Sequence, residues 1–518
     1  MLRAISTRVS VSTLISMRRC HILILAVLLT FSTGVSLQSQ AAAPRTEVLV
    51  VDAKAPSHPF PHFWEKMFGS GRAILSLRED YRSDLRAVKQ ITGFDYVRFH
   101  AILDDEVGVY SEDSEGHPIY NFSYVDHIYD GLLAAGVRPF VEISFMPNQL
   151  AASHTLQAFW YHPNVSPPKD WKRWDDLVAA FAQHLIERYG IDEVSQWYFE
   201  VWNEPNLDFW AGQPKQESYW ELYDQTAFTI KKVSPRLRVG GPATAQAAWV
   251  DAFIKHCAEK QIPVDYVSTH VYGNDKSQDV FGTQEKIPRD KMVCQAVNKV
   301  HGQIKSSSMP NLPLIWSEFN ASYKNESDVT DAIYMGPWMA DTIRQCDGLV
   351  DSMSYWTFSD VFEEQGVAKM PFYGGYGLIA EDGIPKPAFN AFKLLHELGE
   401  ERIQLDTDSA LLTRRKDGTL VLAVWNYAPP EQSGSAKTIT LRLKDSNAKA
   451  AYVSRVDAEH GDVHPTYEKI GSPRYPTQKQ IQELRHAAEL PPPDTIHIEH
   501  GEFTITLPSY GLAVIELK

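Results

Sequence analysis

Cysteine is scarce in this sequence: four of the 518 residues are cysteines, and no two of them form a CxxC pair. The sequence also contains no HExxH run and no glycine-rich loop of the phosphate-binding kind, so metal and nucleotide chemistry find no support. The acidic run Asp104-Asp105-Glu106 lacks the dense oxygen ligands of a calcium loop and is interpreted as solvated loop charge. We therefore expect an active site without a metal or a cofactor.

Basic residues are in the minority. The chain has 50 lysines and arginines against 65 acidic residues, which gives a formal net charge of −15. Nucleic acids and anionic lipids bind to basic surfaces, and this composition does not provide one. We expect no nucleic-acid partner, and an uncharged ligand suits the chain best.

The N-terminus has the three-part layout of a secretory signal peptide. Arg18 and Arg19 precede an apolar run over residues 22–31, and small residues follow at 41–43. Such a run is too short to cross about 30 Å of hydrocarbon as a helix. We interpret residues 1–41 as a cleaved signal and expect an exported protein, periplasmic or extracellular, with no membrane association afterwards.

Removal of that segment leaves three cysteines, Cys257, Cys294 and Cys346, at wide spacings. An odd number of widely spaced cysteines fits neither a disulfide framework nor a zinc site. The sequence allows at most one disulfide and does not identify the pair. Buried free thiols are the favoured interpretation.

The middle of the chain alternates between short apolar runs and helical patterns, which predicts a (β/α)₈ barrel over residues 58–398. Each pair of runs is separated by a segment with the apolar spacing of an amphipathic helix. The eight predicted strands are 64–69, 96–100, 138–143, 197–203, 238–241, 266–270, 314–318 and 352–356. The predicted helices are 80–92, 124–135, 171–189, 218–233, 249–260, 291–306, 330–346 and 389–396.

Residues 399–518 change to period-two strands and predict a C-terminal β-sandwich. A strand within residues 42–57 is expected to join it. The predicted sandwich strands are 410–415, 419–426, 437–443, 450–456 and 502–507. An insertion at 457–495 carries a helix at 478–490, whose apolar residues Ile481, Leu484 and Leu490 suit either a subunit contact in a homo-oligomer or packing on its own barrel.

Two predicted strands end in a glutamate. Glu204 follows an aromatic run and precedes Pro205, which stops the sheet ladder, and Glu318 ends the run from Leu312. In a barrel these positions top the fourth and seventh strands, where catalytic groups gather and face each other across the mouth. Two such carboxyl groups suit glycoside cleavage through a covalent intermediate.

Several stretches resemble family 39 of the glycoside hydrolases, which includes β-xylosidases and α-L-iduronidases. The resemblance covers essentially the whole mature chain. The stretches are residues 96–105 (Tyr-Val-Arg-Phe-His-Ala-Ile-Leu-Asp-Asp), 199–206 (which contains Trp-Asn-Glu-Pro), 270–273 (His-Val-Tyr-Gly), 316–320 (Trp-Ser-Glu-Phe-Asn) and 355–364. The resemblance implies a barrel hydrolase with its acid/base after strand four and its nucleophile after strand seven.

The same resemblance assigns roles to single residues. Glu204 matches the general acid/base and Glu318 the nucleophile, with Tyr272 holding Glu318 ionised and Asn203 bonding the sugar 2-hydroxyl. The residues expected to complete the pocket for the terminal sugar are His100, Phe145, His270, Trp356, Glu363 and Glu364. Taken singly, the aromatic residues and histidines would more often be core residues, and we expect one of the two adjacent glutamates to contact sugar.

The function predicted from the sequence is a retaining exo-glycosidase, a β-xylosidase that releases xylose from xylo-oligosaccharides. A family relative acting on an α-L-arabinoside or an α-L-iduronide is the first alternative. A carbohydrate-binding protein without catalysis is the second, and the presence of both Glu204 and Glu318 speaks against it. Lys276 and Lys369 leave the iduronide alternative open because a uronic acid requires a cation.

Overall fold

The computed structural model describes residues 45–432 and 434–518. Its centre is a closed barrel of eight parallel strands that follow one another in chain order around the ring. The predicted (β/α)₈ barrel is therefore confirmed. Its strands are β1 (Met67–Gly69), β2 (Tyr96–Phe99), β3 (Arg138–Ile143), β4 (Tyr198–Val201), β5 (Arg238–Thr244), β6 (Tyr266–His270), β7 (Leu314–Phe319) and β8 (Ser352–Tyr355).

One helix follows each strand and covers the barrel from outside. In α3 the Asp170 carboxylate accepts from the N–H of Arg173 at the first turn, and Gly190 ends the helix with a positive φ. The helices are α1 (Glu79–Ile91), α2 (Ser123–Ala134), α3 (Trp171–Tyr189), α4 (Lys215–Val233), α5 (Val250–Lys260), α6 (Arg289–Ser306), α7 (Met335–Cys346) and α8 (Pro387–Leu395).

The start of α7 differs from the prediction. Residues 330–334 were expected to be helical, but Ser327–Asp331 forms a single π-helical turn and α7 begins at Met335. Pro337 accounts for this start, because proline lacks an N–H and is tolerated in the first turn of a helix rather than in its interior.

Further short elements lie in the loops of the barrel. Two short helices and two hairpins lie in the loops after β2, α3, β6 and β8. These elements are Tyr110–Glu112, Pro118–Tyr120, Ile191–Val194, Ser277–Phe281, Ile379–Ala380 and Ile384–Pro385, with 3-10 turns at Ala73–Leu77, Ala245–Ala247 and Glu381–Gly383.

Two further sheets form the β-sandwich. The smaller sheet contains, in order, Arg45–Asp52, Lys437–Lys444 and Glu502–Leu507, and its first two strands are parallel. The larger sheet contains, in order, Ser57–Pro59, Glu401–Ile403, Ala410–Arg414, Leu420–Trp425, Leu512–Leu517, Ala450–Val456 and Asp494–His497. Four of these larger-sheet strands, at 57–59, 401–403, 494–497 and 512–517, were absent from the prediction.

The larger sheet is buried on both faces, and the strand Leu420–Trp425 shows how. Val421, Ala423 and Trp425 belong to the same apolar core as the barrel helices. Leu422 and Val424 point the other way, into the core between the two sheets. This strict alternation follows from the period of two in a strand, and it joins the sandwich to the barrel through a shared core.

The insertion packs on its own chain. It contains the helices His464–Lys469 and Gln478–Ala487. Ile481 and Leu484 are buried against Phe372 and Ile384, which belong to the loop between β8 and α8. Of the two interpretations of these apolar positions, the structure therefore supports packing within the chain, and the insertion braces a loop that reaches the mouth of the barrel.

The preferred interpretation of the cysteines was wrong for two of the three. Cys294 of α6 and Cys346 of α7 form a disulfide, with their Cα atoms 5.1 Å apart. The two helices are neighbours around the barrel, which brings together residues 52 apart in sequence. Cys257 is a buried free thiol.

The expected signal peptide, residues 1–41, lies outside the described residues. Among the residues that are described, no helix is both long enough and apolar enough to cross a membrane.

Candidate active site

Two strands deliver the glutamates to the mouth of the barrel. Glu318 lies on β7, and Glu204 follows β4 after a short strained segment in which Trp202 and Glu204 have φ angles of 72° and 43°. The left-handed region costs a non-glycine residue about 1–3 kcal/mol, and such residues concentrate at functional sites. The Glu204 N–H donates to the Ala243 carbonyl at 2.8 Å, which fixes this segment against β5.

His270 stands between the two carboxyl groups. The pairing of β6 with β7 shifts register before His270, so that His270 lies opposite Glu318. Its Nδ1 is 3.0 Å from Glu204 Oε1 and 3.5 Å from Glu318 Oε2. One oxygen of each glutamate and this nitrogen all lie within 4.8 Å of one another. A retaining glycosidase places its carboxyl groups roughly 5–5.5 Å apart and an inverting one roughly 6.5–9.5 Å, so this close approach of two oxygens is compatible with retention.

Burial raises the pKa of Glu204 well above its usual value, and the charge of Glu318 raises it further. This is the behaviour required of a general acid, which has to hold its proton at the working pH. Both causes agree with the sequence-based expectation of burial and a neighbouring carboxylate.

Glu318 has stronger support for its charged form. Burial raises its pKa, but the Arg98 charge acts in the opposite direction, with Nη1 donating to Oε2 at 3.1 Å. The Tyr272 hydroxyl donates to Oε1 and also favours the carboxylate, as expected from the sequence. Of the two glutamates, Glu318 is therefore the one that ionises first.

Arg98 is the main site residue that sequence reasoning missed. It lies on β2, is completely buried, and forms ion pairs of 2.7 Å with both Glu142 and Glu200. Its Nη2 also donates to Asn203 Oδ1 at 2.9 Å. A signal was present: an arginine within an apolar strand has to find carboxylates inside the barrel, because an isolated charge there is too costly.

His270 is neutral at ordinary pH. Burial lowers its pKa well below the usual value, and the charges of Arg98 and His100 lower it further. Its Nε2 is 3.1 Å from Ser317 Oγ, which fixes the ring plane. A neutral imidazole orients Glu204 without adding a positive charge that would pull the acid toward ionisation.

The two glutamates open into a cavity of about 380 Å³. Burial raises the pKa of Glu364 well above its usual value, with the charges of Glu318 and Glu204 adding to the effect, so this wall residue is a neutral hydrogen-bond donor. The sequence-predicted residues that line the cavity are His100, Asn203, Glu204, His270, Tyr272, Glu318, Trp356 and Glu364.

Trp356 lies on the floor of the cavity and depends on a glycine. A Cβ added to Gly69 at the end of β1 would come within 2.1 Å of the indole ring. The missing side chain therefore makes room for the tryptophan, whose face can stack on the C–H face of a sugar.

Two predicted site residues do not line the cavity. Phe145 is fully buried and packs edge-to-face on Trp202, with ring centroids 5.5 Å apart. Glu363 pairs instead with two arginines, at 3.2 Å to Arg72 and 2.6 Å to Arg78. Its neighbour Glu364 is the one that reaches the cavity.

The remaining lining residues come from loops, where sequence patterns carry no signal of a shared cavity. They bring aromatic, amide and charged groups to the rim. These residues are Phe159, Leu207, Phe209, Ala245, Gln246, Asp275, Lys276, Asp279, Tyr323, Gln365 and Tyr376.

Within the described residues, two clusters of histidine and glutamate are compact enough for a metal ion. The first is Glu204 with His270 and Glu318, whose contacts serve acid/base chemistry. In the second, the Glu65 carboxylate lies 2.7 Å from His62 Nδ1 and 2.8 Å from His396 Nδ1. These are hydrogen-bond lengths, and the cluster lies before β1 and after α8, at the opposite end of the barrel from the catalytic pair.

Comparison with known proteins places this geometry in a family. A family model described as glycosyl hydrolases family 39 matches residues 47–496. A β-xylosidase of Geobacillus stearothermophilus is 39% identical over 440 residues, covering 83% of this chain and 86% of that enzyme. The human (Homo sapiens) α-L-iduronidase is 25% identical over 298 residues, covering 52% of this chain and 42% of that enzyme.

A solved structure agrees in fold and in extent. The crystal structure of a monomeric β-xylosidase from Caulobacter crescentus CB15 has a TM-score of 0.82 and 35% identity, covering 91% of this chain and 99% of that one. The match thus spans barrel and sandwich together. The chain belongs to family 39 of the glycoside hydrolases.

Proposed function

We propose that the protein is an exported, retaining exo-β-xylosidase that removes xylose from the non-reducing end of xylo-oligosaccharides. The observation that carries the proposal is the pair Glu204 and Glu318, with one oxygen of each within 4.8 Å of the other. Burial raises the pKa of both, but Arg98 and Tyr272 counteract the rise at Glu318, so Glu204 holds its proton more strongly. The relatives named as β-xylosidases match this chain over most of their length, which supports xylose as the sugar.

In the first step, the Glu318 carboxylate attacks the anomeric carbon while Glu204 gives its proton to the departing glycosidic oxygen. The Asn203 amide oxygen accepts from Arg98, so its amide nitrogen is left to donate to the sugar 2-hydroxyl. That contact strengthens as positive charge develops on the ring in the transition state.

In the second step, water hydrolyses the covalent glycosyl-enzyme. Glu204 has by then lost its proton, and its charge no longer opposes a carboxylate because Glu318 is esterified to the sugar. It can therefore accept a proton from the attacking water. Two displacements at the same carbon return the sugar to its original anomeric configuration.

The charges of the cavity favour an uncharged sugar. Among its described lining residues, Lys276 is the one lysine, no arginine is present, and the Lys276 side chain is exposed at the mouth. Arg98 is committed to three carboxylates. A uronate placed beside Glu364 would meet no lysine or arginine from the cavity lining other than Lys276, whereas a pentose hydroxyl would meet a neutral carboxylic acid.

The end of the cavity near Glu364 is closed by two loops, which supports action on terminal sugars. The Trp160 N–H in the loop after β3 donates to the Glu364 carbonyl in the loop after β8 at 2.8 Å. Arg72 pairs with Glu363 and lies 4.7 Å from the Tyr161 ring centroid, so one buried cation binds both loops.

Export of the enzyme is supported by the disulfide between Cys294 and Cys346, because such bonds persist in oxidising compartments. Fractionation of the source cells, with N-terminal sequencing of the mature protein, tests this part. A chain that begins near residue 42 outside the cytoplasm supports export, and an intact N-terminus in the cytoplasm contradicts it.

Proton NMR during hydrolysis of an aryl β-D-xyloside tests the reaction itself. We expect β-xylose to appear first, before mutarotation mixes the anomers. Initial α-xylose would show inversion and would exclude Glu318 as nucleophile. Strong cleavage of an aryl α-L-iduronide with no xyloside hydrolysis would show that the substrate sugar is iduronic acid and not xylose. An unchanged rate in Glu318→Ala would remove this residue from the mechanism.

A further inference from the structure

The catalytic cavity continues into a second cleft. A cavity of about 630 Å³ shares two lining residues, Asp275 and Lys276, with the catalytic cavity. One wall is the barrel loop that follows β6, residues 273–290. The other wall is residues 427–432 of the sandwich, directly after the strand Leu420–Trp425.

The position of this cleft relative to the scissile bond follows from the closed end of the catalytic cavity. The loops that carry Trp160 and Glu364 are joined there, so the terminal sugar occupies that end. The remainder of the substrate then extends away from that end, and Asp275 and Lys276 connect the rest of the cavity with the cleft. We therefore assign the cleft to the leaving-group side of the bond.

The sandwich wall is rigid before any ligand arrives. The Tyr510 hydroxyl donates to the carbonyls of Pro429 and Gln432, at 3.0 and 2.7 Å, and the Gln432 N–H donates to the Pro429 carbonyl at 3.0 Å. Two consecutive prolines further restrict this loop. A preformed wall loses little conformational entropy when it binds.

Charged and amide side chains both line the cleft, and the amides suit neutral sugars. Gln278 and Gln284 are joined by an amide hydrogen bond of 2.8 Å on the barrel wall, and Gln432 offers a third amide from the sandwich. Amides both donate and accept, as hydroxyl groups do. The cavity volume lies within the range of about 300–1,000 Å³ that is common for ligand sites.

We propose that this cleft binds the β-linked pentose units on the reducing side of the scissile bond, so that the sandwich takes part in substrate binding. The inference rests on the proposed xylosidase function. It makes the enzyme selective for chain length: an aryl xyloside ends at the junction, whereas a longer oligosaccharide reaches the three glutamines.

The test compares kcat/KM for xylobiose, xylotriose and xylotetraose with that for an aryl β-D-xyloside. In the unaltered enzyme we expect kcat/KM to rise at least about fivefold from xylobiose to xylotetraose, which corresponds to about 1 kcal/mol. In the variant Gln284→Ala/Gln432→Ala the rise should disappear while aryl xyloside hydrolysis changes less than about twofold. Gln404→Ala, an exposed sandwich glutamine outside the cleft, should retain the full rise.

Binding of xylotetraose without turnover provides a second measurement. In the background Glu318→Gln, calorimetry should show weaker xylotetraose binding when both cleft glutamines are replaced and unchanged binding of xylose. A kcat/KM independent of chain length in the unaltered enzyme overturns the cleft proposal. So does an equal loss on aryl xyloside and xylotetraose. Absence of aryl xyloside hydrolysis in the unaltered enzyme would instead refute the proposed function.

Discussion

The hydroxyl of Tyr272 is expected to set the pH range in which the nucleophile works. It donates to Glu318 Oε1, and the ring belongs to a buried aromatic cluster with Trp356, Phe362 and Tyr376. Tyr272→Phe removes the donor and keeps this packing. A hydrogen bond to a charged acceptor contributes about 1.5–3 kcal/mol, so on the acidic side of the pH profile, where ionisation of Glu318 limits the rate, we expect kcat/KM to fall by about 10- to 150-fold.

The direction of the pH effect follows from the same contact. Loss of the donor raises the pKa of Glu318, and the enzyme requires Glu318 ionised, so the acidic limb of kcat/KM moves to higher pH. The assay is the pH dependence of aryl β-D-xyloside hydrolysis. Tyr376→Phe is the matched control, because that hydroxyl donates to the Tyr323 carbonyl at 2.7 Å and not to Glu318. A Tyr272→Phe variant with reduced rate and an unmoved acidic limb would refute this role.

Three further predictions concern stability. Cys346→Ser opens the disulfide with Cys294. The two cysteines are 52 positions apart, for which the chain-entropy relation gives a loss of about 4 kcal/mol, measured by denaturant unfolding and matched by reduction of the unaltered protein. Lys386→Met leaves the buried carboxylates of Asp331 and Asp360 without their cation. We expect the free energy of unfolding to fall by about 3–5 kcal/mol in the same assay. The hydrogen bond to Glu65 raises the pKa of His396. The His396–Glu65 pair should therefore stabilise the protein at low pH, and this contribution should be lost as the pH rises through the folded pKa. The melting temperature of His396→Gln should lack this trend. A melting temperature that follows pH equally in both proteins would contradict the last prediction.

Much of the barrel was predictable because each strand is a short apolar run followed by a helical pattern. Buried parallel strands leave this signal wherever they are covered on both sides. The short strands Ser57–Pro59 and Glu401–Ile403 leave no such signal, since three residues are too few to show a period. They form because they pair with each other at an edge of the sandwich.

The catalytic pair was predictable because both glutamates stand at strand ends, where the barrel fixes their position. Which of Glu363 and Glu364 reaches the cavity was not predictable, because the directions of adjacent loop side chains are set only when the loop is folded. Arg72 and Arg78 attract the first, which turns the second toward the cavity.

Arg98 and the disulfide were missed for related physical reasons. Both depend on neighbours far away in sequence: Glu200 lies on β4, and Cys294 and Cys346 lie on different helices. Composition and periodicity describe a residue's own element but not the element beside it. The arginine in the apolar strand β2 indicates that a buried charged network exists, but its partners lie on other strands and cannot be identified from the local sequence.

The central claim is that Glu318 forms a covalent bond to the sugar. An activated 2-deoxy-2-fluoro-β-D-xyloside slows the second step more than the first, so the intermediate should accumulate, and mass spectrometry of the digested protein measures it. The account predicts one fluoroxylosyl group on the peptide that contains residues 314–319, attached to Glu318, and none in Glu318→Gln. A label on another carboxylate, or turnover of natural substrate with no label at all, would contradict it.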